Sequence, residues 1–490
     1  MRKPVSKCLS LLLCVAVLLT VGACSKSKDV SSNPAGTSDD GILIGIDDVS
    51  KGSVSGSTAT TTKPKPGTKT TYSEIKGDTG DYGGAKMPEQ VDLNKSDPFA
   101  NIPARLKGST VKFATWGDES GETYRKVINA FTKKTGINVK CIEYSQGSYL
   151  ESVTASIVNK DAPDVAICAF YPRGFSLFQP LNNLVNLEDD FWDPTMIKVS
   201  TVNGKTYALN SWESSWEPAT MVYYNKAIFD NNGITSPDEY YKAGKWSWEN
   251  YEKCAKEVAN LHNGYVGTTP NAIALSQQLG NPVIKFDYTK AQLVSNVRNL
   301  TEGYRWALSL IESGASEGLD AWSAFALGKQ GLIVTDPFGA KYNGYYKDMK
   351  DSELRMLPLP DSYKGQKLNQ AVACGYRGYG IAKGAKNPEG AAYFIRYFLD
   401  YKYYREAKVN IFKNADLEKT YFETIAPIYK NNPNQIIDIY GDLVPKFGDE
   451  FNKKVLEGSS SQIDSIIEAN ANKVDSAVKE ANEVLANLKK

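Results

Sequence analysis

Two tryptophans and two carboxylates alternate in one short stretch of this chain, which contains Trp212, Glu213, Trp216 and Glu217. An aromatic face can cover the C–H face of a sugar ring, and a carboxylate can accept hydrogen bonds from its hydroxyls. Because aromatic side chains are enriched at binding sites, we expect this stretch to bind a ligand with apolar faces and many hydroxyls. The alternative is a core strand followed by a solvated loop.

The same glutamates could instead act as the acid and the nucleophile of a glycosidase, although the sequence does not give their separation. His262 is the only histidine, and its place at the end of a predicted helix suits capping better than a nucleophile relay. Gly204-Lys205-Thr206 resembles part of a phosphate-binding loop, but Val199 occupies the position of the required earlier glycine. The sequence therefore predicts no catalytic residues.

The cysteines that follow Cys24 are Cys141, Cys168, Cys254 and Cys374. Their spacing fits neither a zinc site nor a Cys-x-x-Cys motif, so we predict no metal and no cofactor. Cys141 and Cys168 fall in apparent strands, which indicates buried free thiols. A disulfide is the alternative for an exported protein.

The start of the chain has the pattern of an export signal. Arg2, Lys3 and Lys7 precede an uncharged run over 8–21 that is too short to span a bilayer comfortably. Val21-Gly22-Ala23-Cys24 then has the form of a lipobox, so we predict a signal peptide over 1–23 and a lipid on Cys24. An ordinary signal cleaved near Ala23 is the alternative.

Residues 24–108 are interpreted as the lipid anchor and a disordered tether. Ser, Thr, Gly, Lys, Pro and Asp dominate, as in TATTTKPKPGTKTT at 58–71, and such a segment buries too little apolar surface to fold alone. About 80 flexible residues would span about 50 Å. The remaining part of about 385 residues is long enough for two lobes or domains, and a net charge of +1 gives no indication of a nucleic-acid partner.

Strands and helices alternate after the tether. Strands are predicted over 110–116, 137–144 and 165–170, with helices over 122–134 and around Leu150–Val158. This order implies a parallel sheet of an α/β fold, in which ligands gather beyond the carboxyl ends of the strands. Those ends carry Trp116-Gly117-Asp118-Glu119 and Phe170-Tyr171-Pro172-Arg173.

Helix signals continue to the C-terminus. Ser247 is predicted to cap one helix, and Asn387-Pro388-Glu389 has the cap, the proline and the acid of another helix start. Apolar residues recur at steps of three and four over 463–488. This periodicity predicts one long helix, either packed on its own domain or forming a coiled-coil seam.

The order of several short motifs resembles the family 1 extracellular solute-binding proteins of ABC importers, the group that includes maltose-binding protein. The resemblance covers roughly residues 109–490 and rests on these segments: VKFATW at 111–116, FTKKTGINV at 131–139, APDV at 162–165, NGKTYAL at 203–209, YYNKAIF at 223–229, WSWENY at 246–251 and GIAKGAKNPEGAAYFIRYFL at 380–399.

The resemblance implies an α/β clamp of two lobes with the ligand in the cleft between them. The chain would cross between lobes near 210–220, 353–360 and 399–408. The first lobe would be 109–217 plus 357–400, and the second 218–356 plus 401–490.

The resemblance also implies which residues face the ligand. They are the four residues of the tryptophan–glutamate stretch together with Trp116, Asp118, Glu119, Tyr171, Arg173, Phe338, Tyr376 and Arg377. Phe338 falls where the family places an aromatic that stacks on sugar. Other roles are open for some of them: Trp116 could fill the core, Arg173 could pair with a surface acid, and Tyr376 and Arg377 could be turn residues.

Together these observations predict a monomeric substrate-binding protein on the extracellular face of the bacterial membrane, anchored by lipid on Cys24. It would capture a carbohydrate, an oligosaccharide rather than a single ring, and deliver it to an ABC transporter permease. The alternatives are a lipid-anchored glycosidase, a binding protein for a polyamine or a peptide, and a structural surface protein.

Overall fold

The computed structural model describes residues 93, 97–116, 121–169, 171–214, 219–317, 322–430, 432, 434–444, 452–457 and 459–488. The predicted signal peptide, Cys24 and the tether up to residue 92 lie outside the described residues. The predicted site residues Asp118, Glu119, Trp216 and Glu217 lie outside them as well. Among the helices that are described, none has both the length and the apolar run needed to cross a membrane.

The first lobe is built on a parallel sheet whose elements follow the predicted order. They are β1 (Thr110–Trp116), α1 (Glu122–Thr135), β2 (Asn138–Tyr144), α2 (Tyr149–Val158) and β3 (Val165–Cys168). β1 is parallel to both β2 and β3. The apolar stripe of α1 is buried, and Gly136 ends the helix with a φ of 74°, which glycine adopts at little cost. These elements confirm the predicted strands and helices.

A helix and a hairpin follow the first sheet: α3 (Pro194–Ser200), β4 (Thr201–Val202) and β5 (Lys205–Thr206). The hairpin turns at Asn203 and Gly204, which have φ values of 51° and 73°, as a two-residue turn of this type requires. Leu209 then pairs with Tyr379 beside the first sheet.

The second lobe contains a mixed sheet in the order β11-β6-β10-β7. β6 is antiparallel to β10 and to β11, whereas β7 is parallel to β10. Its elements are β6 (Met221–Asn225), α4 (Lys226–Asn232), α5 (Pro237–Lys242), α6 (Trp248–Ala259), β7 (Val266–Thr268), α7 (Ala272–Gln278), β8 (Ile284–Asp287), β9 (Gln292–Ser295), α8 (Thr301–Glu312), α9 (Trp322–Ala326), β10 (Gln330–Thr335) and β11 (Leu354–Pro358).

Three short strands continue the second lobe: β12 (Ser362–Tyr363), β13 (Gln366–Lys367) and β14 (Val372–Cys374). The chain then returns to the first lobe with β15 (Gly378–Ile381), α10 (Pro388–Phe398) and α11 (Tyr401–Glu406). β15 joins the first sheet antiparallel to β3. Asn387 caps α10 by accepting a hydrogen bond from Gly390 N, as predicted.

The C-terminal part belongs to the second lobe and ends in one long helix. Its elements are α12 (Ala415–Thr420), a π-helical turn (Tyr421–Ile425), α13 (Ala426–Lys430), β16 (Ile436–Asp438), α14 (Tyr440–Leu443), α15 (Asn452–Glu457) and α16 (Ile463–Leu488). The apolar face of α16 is buried, and Asn482 exchanges hydrogen bonds with the backbone of Leu293 in β9. α16 is therefore a helix packed on its own lobe, the more ordinary of the two predicted arrangements.

The second chain crossing lies at a different place from the predicted one, whereas the third overlaps the end of the predicted range 399–408. β11 ends at Pro358 and pairs with β6 in the second sheet, so the return does not lie at 353–360. It lies between Cys374, whose strand pairs with β16, and Gly378, whose strand pairs with β3. α11 still packs on the first lobe, because Tyr403 stacks on Tyr397 of α10 at 3.9 Å between ring centroids; the third crossing therefore follows residue 406.

The packed structure also begins before residue 108, the predicted end of the tether. Phe99 is 3% exposed, and its ring lies 5.2 Å from that of Tyr397 and 5.4 Å from that of Tyr403. Arg105 donates two hydrogen bonds of 2.8 Å to the carboxylate of Glu389 at the start of α10. Residues 97–106, here named the N-terminal segment, are therefore part of the first lobe.

Candidate ligand-binding site

The carboxyl edge of the first sheet brings together two predicted site residues, Trp116 and Arg377. Trp116 ends β1, and Arg377 directly precedes β15, which starts at this edge because it runs antiparallel to β3. The guanidinium of Arg377 lies 5.0 Å from the ring centroid of Trp116, and both side chains are half-buried. An indole face beside a guanidinium offers an apolar platform and hydrogen-bond donors for a hydroxylated ring.

Tyr171 and Tyr376 lie beneath this edge and are both 4% exposed. Their ring centroids are 5.7 Å apart, and the Tyr376 hydroxyl hydrogen-bonds the Ser200 hydroxyl at 2.6 Å. Burial raises the pKa of both phenols above the ordinary value, so both stay protonated. In this structure Tyr376 supports the edge from within the first lobe, whereas Tyr171 also packs on Phe286 of the second lobe.

Arg173 lies in a 3₁₀ turn over Arg173–Leu177 and forms an ion pair with Glu480 of α16. The closest N–O distance is 3.3 Å, and the two side chains are 37% and 67% exposed. Exposed pairs of this kind contribute little to stability. The contact nevertheless joins a loop of the first lobe to the last helix of the second.

Phe338 lies in a turn directly after β10, where the second lobe meets the first. Asp336 shapes the turn by accepting a hydrogen bond of 2.7 Å from Phe338 N. The half-buried ring packs against Tyr345 with centroids 4.9 Å apart. In the same turn, the buried Lys341 donates to the Tyr124 hydroxyl of α1 at 3.2 Å, so this turn connects the two lobes.

Trp212 and Glu213 contact protein groups around the third crossing. The ammonium of Lys430 lies 3.9 Å from the ring centroid of Trp212. Glu213 Oε2 accepts a hydrogen bond of 3.2 Å from Tyr401 N at the start of α11. Burial raises the pKa of the Glu213 carboxyl above its usual range. The structure does not bring these two side chains into contact with Trp116 or Phe338.

A cavity of about 350 Å³ lies between Tyr171 and the β8–β9 hairpin. The Phe286 ring packs 5.2 Å from that of Tyr171, and the Lys198 ammonium lies 3.8 Å from the ring centroid of Tyr288. Lys198, Phe286 and Tyr288 were not among the predicted site residues, although the alternation of apolar and polar residues in IKFD and QLVS around a short turn is a hairpin signal.

Asp438 is a further residue whose role was not predicted from the sequence. It is fully buried, and its carboxylate accepts hydrogen bonds from Val283 N at 2.6 Å, Ile284 N at 3.2 Å and Gln277 Nε2 at 3.0 Å. Burial raises the pKa of Asp438 to about 6. A single acid in an apolar strand carries no recognisable motif, so only the fold reveals its role in joining α7, β8 and β16.

The described part of the chain contains no group of three or more His, Cys, Asp or Glu residues that could hold a metal ion. Cys141, Cys168, Cys254 and Cys374 are free thiols; Cys168 is buried as predicted, whereas Cys141 is only partly buried. Burial raises the pKa of Cys168 and, to about 11, that of Cys374, which keeps these thiols protonated.

Residues 115–404 match the family model described as bacterial extracellular solute-binding protein. The match spans more than half of the chain and includes the edge with Trp116 and Arg377, the turn with Phe338 and all of α10. No curated protein matches the chain in sequence.

Solved structures of low sequence identity share the fold. The extracellular solute-binding protein of Staphylococcus aureus, in complex with maltose, is 15% identical with a TM-score of 0.54, covering 76% of this chain and 98% of that one. The sugar-binding protein MalE of Xanthomonas citri is 13% identical with a TM-score of 0.56, covering 77% and 99%. The cyclic α-maltosyl-1,6-maltose binding protein of Arthrobacter globiformis is 14% identical with a TM-score of 0.52, covering 78% and 99%. This likeness confirms the predicted α/β clamp of two lobes.

Proposed function

Because the chain belongs to the bacterial extracellular solute-binding proteins, we propose that it captures a carbohydrate between its lobes and delivers it to the permease of an ABC transporter. The family binds solutes rather than transforming them, which sets aside the glycosidase alternative and agrees with the prediction that the chain is not an enzyme. The solutes named for the similar solved structures include maltose and a cyclic maltosyl-maltose.

The observation that carries this proposal is the pair of Trp116 and Arg377 at the carboxyl edge of the first sheet. An indole face removes the C–H face of a sugar from water, and a guanidinium donates hydrogen bonds to the hydroxyls around that ring. Phe338, in the turn that joins the second lobe to the first, supplies an aromatic from the other side. Such a pairing favours a sugar over a polyamine, whose cationic groups would be repelled by Arg377.

We propose an oligosaccharide rather than a single sugar because several aromatic platforms are available. Trp116 and Phe338 would contact the ligand directly, with Trp212 and Trp216 as further platforms near the first crossing. The hydroxyls of the sugar would donate hydrogen bonds to four carboxylates, those of Asp118, Glu119, Glu213 and Glu217. Arg173 would donate hydrogen bonds from the edge of the cleft. Tyr171 and Tyr376 would hold the edge in place from below.

A thermal-shift screen of the full chain tests the ligand class, because a ligand that binds only the folded state raises the melting temperature. Maltose, maltotriose and other oligosaccharides should stabilise the protein, and longer ligands should do so more strongly. Peptides and polyamines serve as comparison ligands. Stabilisation by those compounds alone would overturn the carbohydrate proposal.

Trp116→Ala tests the proposed platform on the sugar that gives the largest shift. A buried aromatic at a binding hot spot contributes about 2 kcal/mol or more, so affinity measured by titration calorimetry should fall roughly thirty-fold. Val158→Ala is the matched control, because Val158 is 64% exposed at the end of α2, away from this edge. Unchanged affinity in a folded Trp116→Ala protein would show that this tryptophan only packs against Tyr149, whose ring centroid lies 4.6 Å from its own.

We also propose that lipid on Cys24 anchors the protein after removal of the signal peptide 1–23, with the chain from residue 25 to about 92 as a tether. Cys24→Ser removes the thiol that would carry the lipid. The variant should shift from the membrane fraction to the medium or stay as a precursor. Processing and membrane retention equal to those of the wild type would contradict the anchor.

A further inference from the structure

Buried hydrogen bonds hold the chain crossings together at the end of the first lobe. Asn210 is 2% exposed, and its Nδ2 donates to Arg377 O at 3.2 Å, which joins the first crossing to the second. The Ser211 hydroxyl donates to Leu399 O at 2.8 Å, which joins the first crossing to the end of α10. The chain that leaves the first lobe is therefore held to both segments beside it.

Glu213 completes this arrangement through its hydrogen bond from Tyr401 N. Asn210, Ser211 and Glu213 are here named the first-lobe cluster. Buried polar groups of this kind are costly to separate, because each would lose a partner away from water. The cluster therefore moves with the first lobe as one body.

A second cluster holds the same crossings at the end of the second lobe. The buried Tyr429 hydroxyl donates to Val372 O at 2.7 Å and accepts from Thr220 N at 3.1 Å, joining the first and second crossings. One step further along, Gly375 N donates to Asp438 O at 2.6 Å. These hydrogen bonds fix the second crossing to the second lobe as far as the backbone N–H of Gly375.

Along the second crossing, the part fixed to the second lobe and the part fixed to the first lobe meet at a single residue, Gly375. Tyr376 is held to the first lobe through Ser200, and the amide of Gly375 is held to the second. Gly375 has a φ of +115°, and a Cβ atom placed on it would have no heavy atom within 4 Å. Such a φ is open to glycine and strained for other residues.

We propose that Gly375 is the pivot of the second crossing, so that the lobes change their relative orientation through rotation about its backbone bonds. Rotation there leaves both clusters intact, because neither needs to lose a hydrogen bond. Hinges of two-lobed proteins generally confine large torsion changes to a few residues between rigid bodies. This inference concerns lobe motion and holds whatever solute is bound.

Single-molecule energy transfer between the lobes tests the proposal without a ligand. The full chain would carry p-acetylphenylalanine at Val158 in the first lobe and Leu327 in the second, which are 64% and 75% exposed, for labelling with ketone-reactive dyes. In Gly375→Ala the mean inter-lobe distance should shift, because alanine cannot keep the φ of +115°. Exchange between lobe orientations should slow by about tenfold or more, given the strain of that region for L-residues.

The matched control is Gly365→Ala, because Gly365 also has a positive φ of +74° with open space around its Cβ position. It lies in the turn between β12 and β13, within the second lobe. This variant should lose some thermal stability yet keep the wild-type distance distribution. An equal change in both variants, or none in a folded Gly375→Ala protein, would overturn the pivot.

A second pair of variants keeps the proposal testable if Gly375→Ala does not fold. Tyr376→Phe and Ser200→Ala remove the same hydrogen bond from opposite sides. Both should release the first-lobe side of the pivot and broaden the inter-lobe distribution to the same extent. A distribution equal to that of the wild type in both variants would contradict a pivot at this position.

Discussion

Glu213 is a carboxylate whose environment opposes its charge. Burial raises its pKa above 4.5, the ordinary value for glutamate. The folded state therefore binds this proton more tightly than the unfolded chain. The stability that Glu213 contributes is fully present below the unfolded pKa and is lost as the pH rises through the raised folded pKa.

Glu213→Gln removes the charge and keeps an acceptor for Tyr401 N. Because glutamine does not titrate, the melting temperature of the variant minus that of the wild type should increase from pH 4 to pH 7. Differential scanning calorimetry at several pH values measures this difference. Glu151→Gln, at an exposed position of α2, is the control, and a difference that stays flat or falls with pH would contradict the expected sign.

Asp438 shows how one buried acceptor can hold several elements. In Asp438→Asn the amide group would face backbone N–H donors, leaving at least one of the Val283 and Ile284 amides without a partner. An unsatisfied buried donor costs about 1–3 kcal/mol, and we expect a loss of roughly 3 kcal/mol at neutral pH.

Chemical denaturation measures the loss in Asp438→Asn, with the exposed Asp416→Asn of α12 as a comparison that should change stability little. Equal stabilities in the two variants would mean that the Asp438 network contributes no net stability. The contribution of Asp438 was not accessible from the sequence, because only the fold brings it beside the start of β8.

For the predicted site residues, the sequence indicates what chemistry each side chain can perform. It does not indicate whether that side chain faces the cleft or the core. The position of Trp116 at the end of a strand followed from local pattern, and the structure places it at the expected edge. Tyr171 and Tyr376 occupy equivalent loop positions, yet both rings are buried, Tyr376 beside Ser200 and Tyr171 beside Phe286 of the second lobe. Whether a loop aromatic faces a cleft or a core depends on contacts distant in sequence, such as that between Tyr376 and Ser200.

Elements with strong local signals were predicted well. β1 and α1 carry clear periodicity, Gly136 ends α1, and Asn387 with Pro388 starts α10. The β8–β9 hairpin and α3 were missed, because short elements carry few periodic positions and are stabilised by packing on their neighbours. The N-terminal segment was misassigned because its three spaced apolar residues, Phe99, Ile102 and Leu106, follow a long stretch rich in Ser, Lys and Gly.

The N-terminal segment should contribute substantially to the stability of the first lobe. Phe99 fills a space between α10 and α11, where Tyr393, Tyr397 and Tyr403 surround it. Phe99→Ala should therefore reduce the free energy of unfolding by about 3 kcal/mol through the cavity that it leaves. Thermal and urea unfolding of the full chain measure the change.

Val158→Ala is the control for this prediction, since a truncation of an exposed side chain should change stability by less than about 0.5 kcal/mol. Arg105→Ala should lie between the two, because its ion pair with Glu389 is partly exposed and exposed pairs contribute little. If Phe99→Ala were as stable as the control, residues 97–106 would belong to the tether and not to the packed first lobe.

At the scale of the whole molecule, the two-lobed architecture was predictable from the order of motifs, whereas the position of the second crossing was not. LRMLP at 354–358 forms an apolar strand that could serve either lobe. This strand belongs to the second lobe because it pairs antiparallel with β6. Pairing between strands more than a hundred residues apart produces no pattern in the local sequence. The boundaries of lobes therefore require the sheet topology.

The lobes contact each other at several places in this structure, among them Lys341 with Tyr124, Arg173 with Glu480 and Tyr171 with Phe286. A change in lobe orientation must alter at least one of these contacts. We expect saturation with the most stabilising oligosaccharide to favour the orientation in which Trp116 and Phe338 both contact it. Small-angle scattering should then show a smaller radius of gyration than without ligand, and Trp116→Ala should need a higher ligand concentration for the same change. An unchanged radius at saturation in the wild type would show that binding does not require the lobes to close.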